Sequence, residues 1–334
     1  MTNTAQAPAA RAVLFDSLGG PDVLHIENVQ LKAPGPTELL IRVEALGLNR
    51  AEALFRAGEY YYLPTLPGSR LGYEASGVVE AAGADVTGFA PGDLVMTGPG
   101  IEMGTQGVYG DRVVLPESAL VPRPAAVDAI TGAAAWLTYT TAYGGLIETA
   151  GMRPGDHVLI TGASSGVGTA AIQVARRIGA VPVATTRAAS KKQALLDLGA
   201  EHVIVAGAED VAKETRRVTG GAGADILFDA IGGPELPHHA AALRTHGTIV
   251  VYGWLNGRIG FPMNWPQTIH TYANMALTTT PDGFRRSTAF LNAGLRDGGF
   301  RPLVAEVFDG LDRIQDAHRL MESNAHTGKI VVTL

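Results

Sequence analysis

The sequence predicts an α/β protein of two domains, a β-rich one followed by a doubly wound parallel-sheet one, and three observations carry that prediction. At 334 residues, and about 150 residues per domain, the chain is long enough for two cores. Between residues 11 and 125 short apolar runs such as ELLIRVEALGL, ASGVVEAAG, GDLVMTG and DRVVL are punctuated by Gly, Pro and Asp, which is the texture of strands and tight turns. Beyond Pro122 strand-like and helix-like segments alternate, as they do where crossover helices link parallel strands.

The elements follow in that order. A short Ala-rich start is expected to be disordered, and the β-rich domain runs from there. AITGAAAWLTYTTAYGGLIETA then reads as helix, DHVLITG as a buried strand ending in glycine, TAAIQVARRIGA as a helix with apolar residues at helical spacing, and VPVATT as a second buried strand. The alternation continues through KKQALLDLGA, HVIVA, VAKETRRVTGG, ADILFDAIGG, LPHHAAALRTHG and TIVVYGW. The chain finishes on GKIVVTL, an apolar strand with no place inside the doubly wound unit, so it is expected to return to the first domain. The boundaries expected are 1–130, completed by 281–334, for the first domain and 131–280 for the second.

Composition narrows the function. The chain is 46% hydrophobic and 17% charged with a formal charge of −6, an ordinary globular balance with no general basic field to favour a nucleic-acid backbone. It contains no cysteine, which removes disulfides, thiolate nucleophiles and zinc sites built on Cys ligands. No charged start followed by an apolar run, and no stretch of 18 or more apolar residues, is present, so a soluble cytoplasmic protein is expected, without a membrane partner. The nine histidines show no ligand spacing, His238 and His239 are expected to decorate a helix, and no metal site is assigned.

The chemistry begins at ITGASSGVG, residues 160–168, which lies between a buried strand and a helix. That context suits a dinucleotide loop: amides at the helix N-terminus, aided by the helix dipole, hold the pyrophosphate. Ser165, Gly166, Val167 and Gly168 are the cofactor-binding candidates there, with Gly166 and Gly168 allowing close approach and tight strand–helix packing. The T-G-x-x-x-G-x-G pattern also belongs to short-chain dehydrogenases, but about 150 residues precede it here, and no tyrosine has a lysine four positions on. The Tyr-x-x-x-Lys chemistry of those enzymes is therefore absent.

The end of the second strand selects the cofactor. An acidic residue there would accept hydrogen bonds from the ribose 2′-hydroxyl; instead Thr186 and Arg187 are followed by Ser190, Lys191 and Lys192, with Arg187 falling 19 residues after Gly168. Donors and positive charge suit a 2′-phosphate, so NADPH is expected rather than NADH. Lys191 and Lys192 also read as a solvated first helical turn.

GLNRAEALFRAGEYYYLPTLPG, LGYEASGVVEAAGADVTGFAPGDLV, RPGDHVLITGASSGVGTAAIQVARRIGA and the final AHRLMESNAHTGKIVVTL together resemble the medium-chain dehydrogenase/reductase superfamily, and within it the zinc-independent quinone oxidoreductases. The resemblance implies a GroES-like β-rich domain and a Rossmann domain. Zinc-dependent alcohol dehydrogenases of that superfamily place a Cys soon after the position of Gly47, and a His-Glu pair where this sequence has Tyr73-Glu74; these replacements, with the loss of the four-cysteine lobe, speak against zinc. Residue by residue, the resemblance sets Asn49 beside nicotinamide and substrate and makes Tyr60 a hydrogen-bonding or protonating tyrosine, with Tyr61 and Tyr62 as alternatives lining the substrate pocket. It sets Thr141 against the nicotinamide, a helix-interior threonine being the other reading. Gly253 and Trp254 would wall the ring and substrate pocket. Lys329 would touch cofactor phosphate or lie on the surface. YANMALTTT resembles a late strand through which members pair into homodimers.

The activity implied is NADPH-dependent reduction of a quinone, enone or other α,β-unsaturated carbonyl, a small-molecule partner bound with cofactor in an interdomain crevice. Enoyl-thioester reduction is the near alternative. A non-catalytic NADPH-binding sensor is the alternative of another class.

Overall fold

The structure is a computed structural model, and it describes residues 9–256 and 266–334; the Ala-rich start expected to be disordered lies largely outside them. The chain divides into two compact units, residues 1–136 with 304–334, and residues 137–303. Helix Pro281–Arg296, assigned from sequence to the completing segment, belongs to the second unit. No helix among the described residues is long and apolar enough to cross a membrane.

The first unit is organised around strand Glu38–Gly47, whose alternating burial puts Leu39, Ile41, Val43 and Leu46 into the core. It pairs antiparallel with Glu74–Ala82, with Arg112–Pro116 and with the terminal strand Lys329–Thr333. The terminal strand registers Val331 against Gly47 and Thr333 against Ala45, and its other edge carries Val304–Asp309 in parallel. Leu94–Thr97 and Leu120–Pro122 extend the far side, while Ala9–Phe15 and Leu24–Gln30 form a separate antiparallel pair. Helices Arg50–Ala57 and Ile314–Ser323 belong to the same unit.

In the second unit six parallel strands stand in the spatial order His202–Val205, Val181–Thr186, His157–Ile160, Ala224–Asp229, Leu243–Val251, Thr268–Thr271. Counted within the unit this is 3-2-1-4-5-6, the dinucleotide-binding order, whose direction reverses between His157–Ile160 and Ala224–Asp229. Leu159, Val183, Leu227 and Ile249 are fully buried on the central strands, which is why these segments read as continuous apolar runs.

Two segments differ from the sequence expectation. LPHHAAALRTHG is helical only over Leu236–Ala240, with His238 outward and His239 buried; its remainder enters the strand Leu243–Val251, where the register against Ala224–Asp229 slips and His246 adopts a positive φ. YANMALTTT is not a strand: the edge strand is the preceding TIHT, and Asn274–Thr278 form a helix. Asn274 accounts for the change, since its amide donates to Thr140 and its carbonyl accepts from Tyr272, fixing the chain where it leaves the sheet.

Inside the first unit, fully buried Arg56 joins the two helices by donating to Gly19 O at 2.9 Å, His318 Nδ1 at 2.8 Å and Glu322 Oε1 at 2.6 Å. His318 must be neutral to accept that bond. Burial, followed by the charges of Arg56 and Arg50, lowers its pKa to about 3. Tyr109 packs edge-on against its ring, and Glu322 lies 3.9 Å from Nδ1. The unfolded chain takes up this proton below about 6.5, so the contribution is complete above that pH and is lost as pH falls toward 3, with a slope of up to ~1.4 kcal/mol per pH unit. Urea midpoints are expected to fall between pH 7.5 and pH 5, and His318→Asn, which keeps an acceptor for Arg56 without the titrating ring, is expected to flatten that dependence; an unchanged slope would remove His318 from the account.

Candidate active site

In the first unit the site grows from the start of helix Arg50–Ala57. Asn49 has an extended backbone and caps that helix, with Glu52 reaching back to its N–H at 2.6 Å. Glu52 is completely buried and also accepts from Tyr73 N–H at 3.0 Å, Tyr109 O–H at 2.6 Å and Asn49 Nδ2 at 3.3 Å. Burial raises its pKa, against which the Tyr109 hydroxyl, Lys329 and the two backbone amides act. All four contacts are donors, so the ionised carboxylate is the form they match. The Tyr109 hydroxyl is correspondingly held well above its ordinary pKa by burial and by Glu52.

Lys329 closes this cluster. Its ammonium donates to Asn49 Oδ1 and lies 2.6 Å from Glu74 Oε2, with the two side chains only 4% and 1% exposed. The surface placement weighed for Lys329 from sequence is therefore wrong: the terminal strand beside Gly47 turns the lysine inward, toward two buried carboxylates that need a counter-charge. Gly47 has to be glycine, because a Cβ there would overlap the carbonyl of Ala133 and crowd Lys329 Cε. The Asn49 amide group donates to Gly47 O at 3.2 Å and faces Glu52 and Glu74 at 3.3 Å each. Its protons are thus directed at protein acceptors, and Asn49 acts here as a strut.

The tyrosine run is sorted by burial. Tyr61 is 61% exposed, whereas Tyr60 and Tyr62 pack against the Phe55 ring at centroid distances of 6.4 and 5.1 Å. The hydroxyls of Tyr60 and Tyr62 meet that of Tyr73, at 3.3 and 2.8 Å, and Met103 N–H donates to Tyr62 at 3.3 Å. Burial raises the pKa of Tyr60, Tyr62 and Tyr73, so all three hydroxyls keep their protons near neutrality. This site can offer hydrogen bonds to a developing oxyanion.

In the second unit the glycine loop joins strand His157–Ile160 to helix Gly166–Ile178, with Gly162 at φ +58° making the turn. Ser165 caps the helix, its hydroxyl accepting from Gly168 N–H at 3.1 Å. The amides of Gly166 and Val167 are those that helix geometry leaves to a ligand. A Cβ on Gly168 would press into the backbone of Ala163, so the close strand–helix packing requires glycine. Thr186, buried at the end of Val181–Thr186, shapes the following turn through Ala188. Arg187 is exposed, and Lys191 sits in the 3₁₀ turn Ala189–Lys191. Burial, and then the Arg187 charge, lowers the pKa of Lys191, which identifies a local positive field an anion would relieve. These features fit a dinucleotide bearing an extra phosphate.

Thr141 is buried and donates to Leu137 O at 2.6 Å, a bond internal to its helix. Gly253 and the 41% exposed Trp254 follow strand Leu243–Val251. Sequence reasoning missed Asp229, which ends a central strand fully buried, accepts from Thr161 O–H and Gly232 N–H at 2.6 Å each, and ties the loops at the reversal of strand order. An acid ending the apolar run ADILFD was the available signal. It also missed Glu52 and Tyr109, which only the folded arrangement brings together.

An NAD(P)-type doubly wound unit behind a β-rich unit with a phenolic and amide site defines a medium-chain reductase, and comparison with known proteins agrees. Residues 35–125 match the alcohol dehydrogenase GroES-like domain family, and residues 166–289 match the zinc-binding dehydrogenase family. The chain is 29% identical to the human quinone oxidoreductase, over 97% of this chain and 98% of that protein. A structure of an NAD-dependent alcohol dehydrogenase is 32% identical, with TM-score 0.86, over 97% of this chain and 99% of that one. The Escherichia coli quinone oxidoreductase complexed with NADPH is 26% identical, with TM-score 0.88, over 97% and 100%. The chain belongs to the medium-chain dehydrogenase/reductase superfamily and to its quinone oxidoreductase family.

Removing the Lys329 ammonium leaves Glu52 and Glu74 buried without their counter-charge. Lys329→Met is expected to destabilise the first unit by about 3–5 kcal/mol, read from urea unfolding at neutral pH; a change below ~1 kcal/mol would show that the carboxylates do not depend on it.

Proposed function

We propose that this protein is an NADPH-dependent, zinc-independent reductase that delivers hydride to a quinone, an enone or another α,β-unsaturated carbonyl. The observation that carries the reading is the group of three phenol hydroxyls, from Tyr60, Tyr62 and Tyr73, next to the Asn49 helix cap. A conjugated acceptor takes hydride at carbon and gathers negative charge on a remote oxygen, which is what a neutral phenol donor stabilises. The donor set argues against zinc: the chain has no thiolate to offer, Tyr73 stands at the histidine of the ligand pair, and Glu74 is committed to Lys329.

NADPH, when bound, supplies the hydride. Gly166 and Val167 amides would hold its pyrophosphate, and Arg187 with Lys191 its 2′-phosphate; the E. coli relative's complex with NADPH supports this choice, while an NAD-dependent relative of comparable similarity makes the cofactor test informative. Tyr60 would donate to the acceptor oxygen, and Asn49, its amide protons directed inward, would hold the helix terminus beside it. An enoyl thioester presents the same remote oxygen, so it is the second substrate class to test.

The deciding experiment follows NADPH oxidation by chelator-treated protein with benzoquinone, an alkenal and crotonyl-CoA in parallel. Turnover without metal supports the reading and ranks the acceptors; tight NADPH binding without turnover favours a sensor. Arg187→Asp is expected to raise KM for NADPH by about 10–100-fold, the loss of one charge-assisted contact, and to leave KM for NADH nearly unchanged. We also propose a homodimer joined through the edge strand Thr268–Thr271, since an open sheet edge invites pairing; light scattering is expected to give twice the chain mass, and a monomer would refute it.

A further inference from the structure

We propose that Tyr73 is a positioning residue of this reductase, which polarises and orients the Tyr60 hydroxyl through a one-way chain of hydrogen bonds; the inference rests on the functional reading above and adds to it a residue with no assigned role.

The direction of the chain follows from counting protons. A phenol has one proton to donate. Tyr73 donates to Tyr60 at 3.3 Å, so its proton is spent. The 2.8 Å contact between Tyr62 and Tyr73 must then run from Tyr62 as donor to Tyr73 as acceptor. Tyr62 in turn accepts from Met103 N–H at 3.3 Å. The sequence of donations is Met103 N–H to Tyr62, Tyr62 to Tyr73, Tyr73 to Tyr60, and Tyr60 carries the last proton of the series. Aligned donors polarise one another, so the terminal hydroxyl becomes the strongest donor of the three.

The surroundings hold this order in place. Tyr73 is pinned at its backbone by the bond from its N–H to Glu52, itself part of the Lys329 cluster. The rings of Tyr60, Tyr62 and Phe55 pack together at 5.1–6.4 Å, which leaves the hydroxyls few alternative directions. Tyr60 therefore meets an acceptor oxygen with its own oxygen already receiving a hydrogen bond, the arrangement that stabilises charge developing on the phenol as it donates.

The test is a double-mutant cycle on the full-length enzyme with NADPH and the best acceptor of the panel. Tyr73→Phe keeps the ring and removes only the hydroxyl. It is expected to lower kcat by about tenfold with KM for NADPH unchanged, the scale of one hydrogen bond to a developing charge. Tyr60→Phe is expected to lower kcat by about a hundredfold, and the double variant is expected to match Tyr60→Phe alone, because Tyr73 acts only through Tyr60. Multiplying losses, or a Tyr73→Phe enzyme with unaltered kcat, would overturn the proposal. A second measurement does not depend on turnover: with ring-carbon-labelled tyrosine, Tyr73→Phe is expected to move the Tyr60 Cζ resonance, and a stationary resonance would likewise overturn it. If wild type reduces none of the acceptors the functional reading falls, and the resonance still decides whether Tyr73 controls the Tyr60 hydroxyl.

Discussion

The first unit depends on one electrostatic constraint: two carboxylates, Glu52 and Glu74, lie in the interior beside a single ammonium, Lys329. Ions removed from water are tolerated only with close opposite charge and a full set of hydrogen bonds, and here the donors come from four parts of the chain. Asn49 caps a helix, Tyr73 begins a strand, Tyr109 lies between strands and Lys329 opens the terminal strand. Satisfying the charges thus sets the helix start, the register beside Gly47 and the backbone from which the Tyr73 ring projects. Geometry at the phenols is downstream of charge balance among groups that need never touch a substrate.

The second unit meets a different demand with different means. Its core is apolar and its strands read continuously, so its specific features gather at the strand ends. Thr161 and Asp229 brace the two loops where strand order reverses, and Ser165 stops the helix from bonding its own first amides. Arg187 and Lys191 leave positive potential at the next strand end. The unit is rigid where it carries hydrophobic contacts and polar where a ligand's phosphates would lie.

Much of this could be read in the sequence because the signals were local. Strand and helix alternation, the glycine loop between DHVLIT and its helix, and the basic end of VPVATT each lie within a few residues. YANMALTTT misled because its apolar residues suit either period, and the side-chain bond from Asn274 to Thr140 decides for a helix. Lys329 misled for a related reason: a lysine near a chain terminus has no local mark of burial, and its partners are Asn49 and Glu74. Among three consecutive tyrosines, only packing on Phe55 separates the inward pair from Tyr61.

The same long separation bears on how the protein comes to be made. As synthesis proceeds from the N-terminus, Glu52 and Glu74 emerge early, and the ammonium that neutralises them follows some 250 residues later, after the whole second unit has been produced. The second unit needs nothing from residues beyond 303 for its sheet, so it can condense first. The first unit is held open, in charge terms, until the final strand arrives beside Glu38–Gly47. Lys329 therefore acts as a completion signal for its assembly, one that arrives only after nearly all of the chain has been translated.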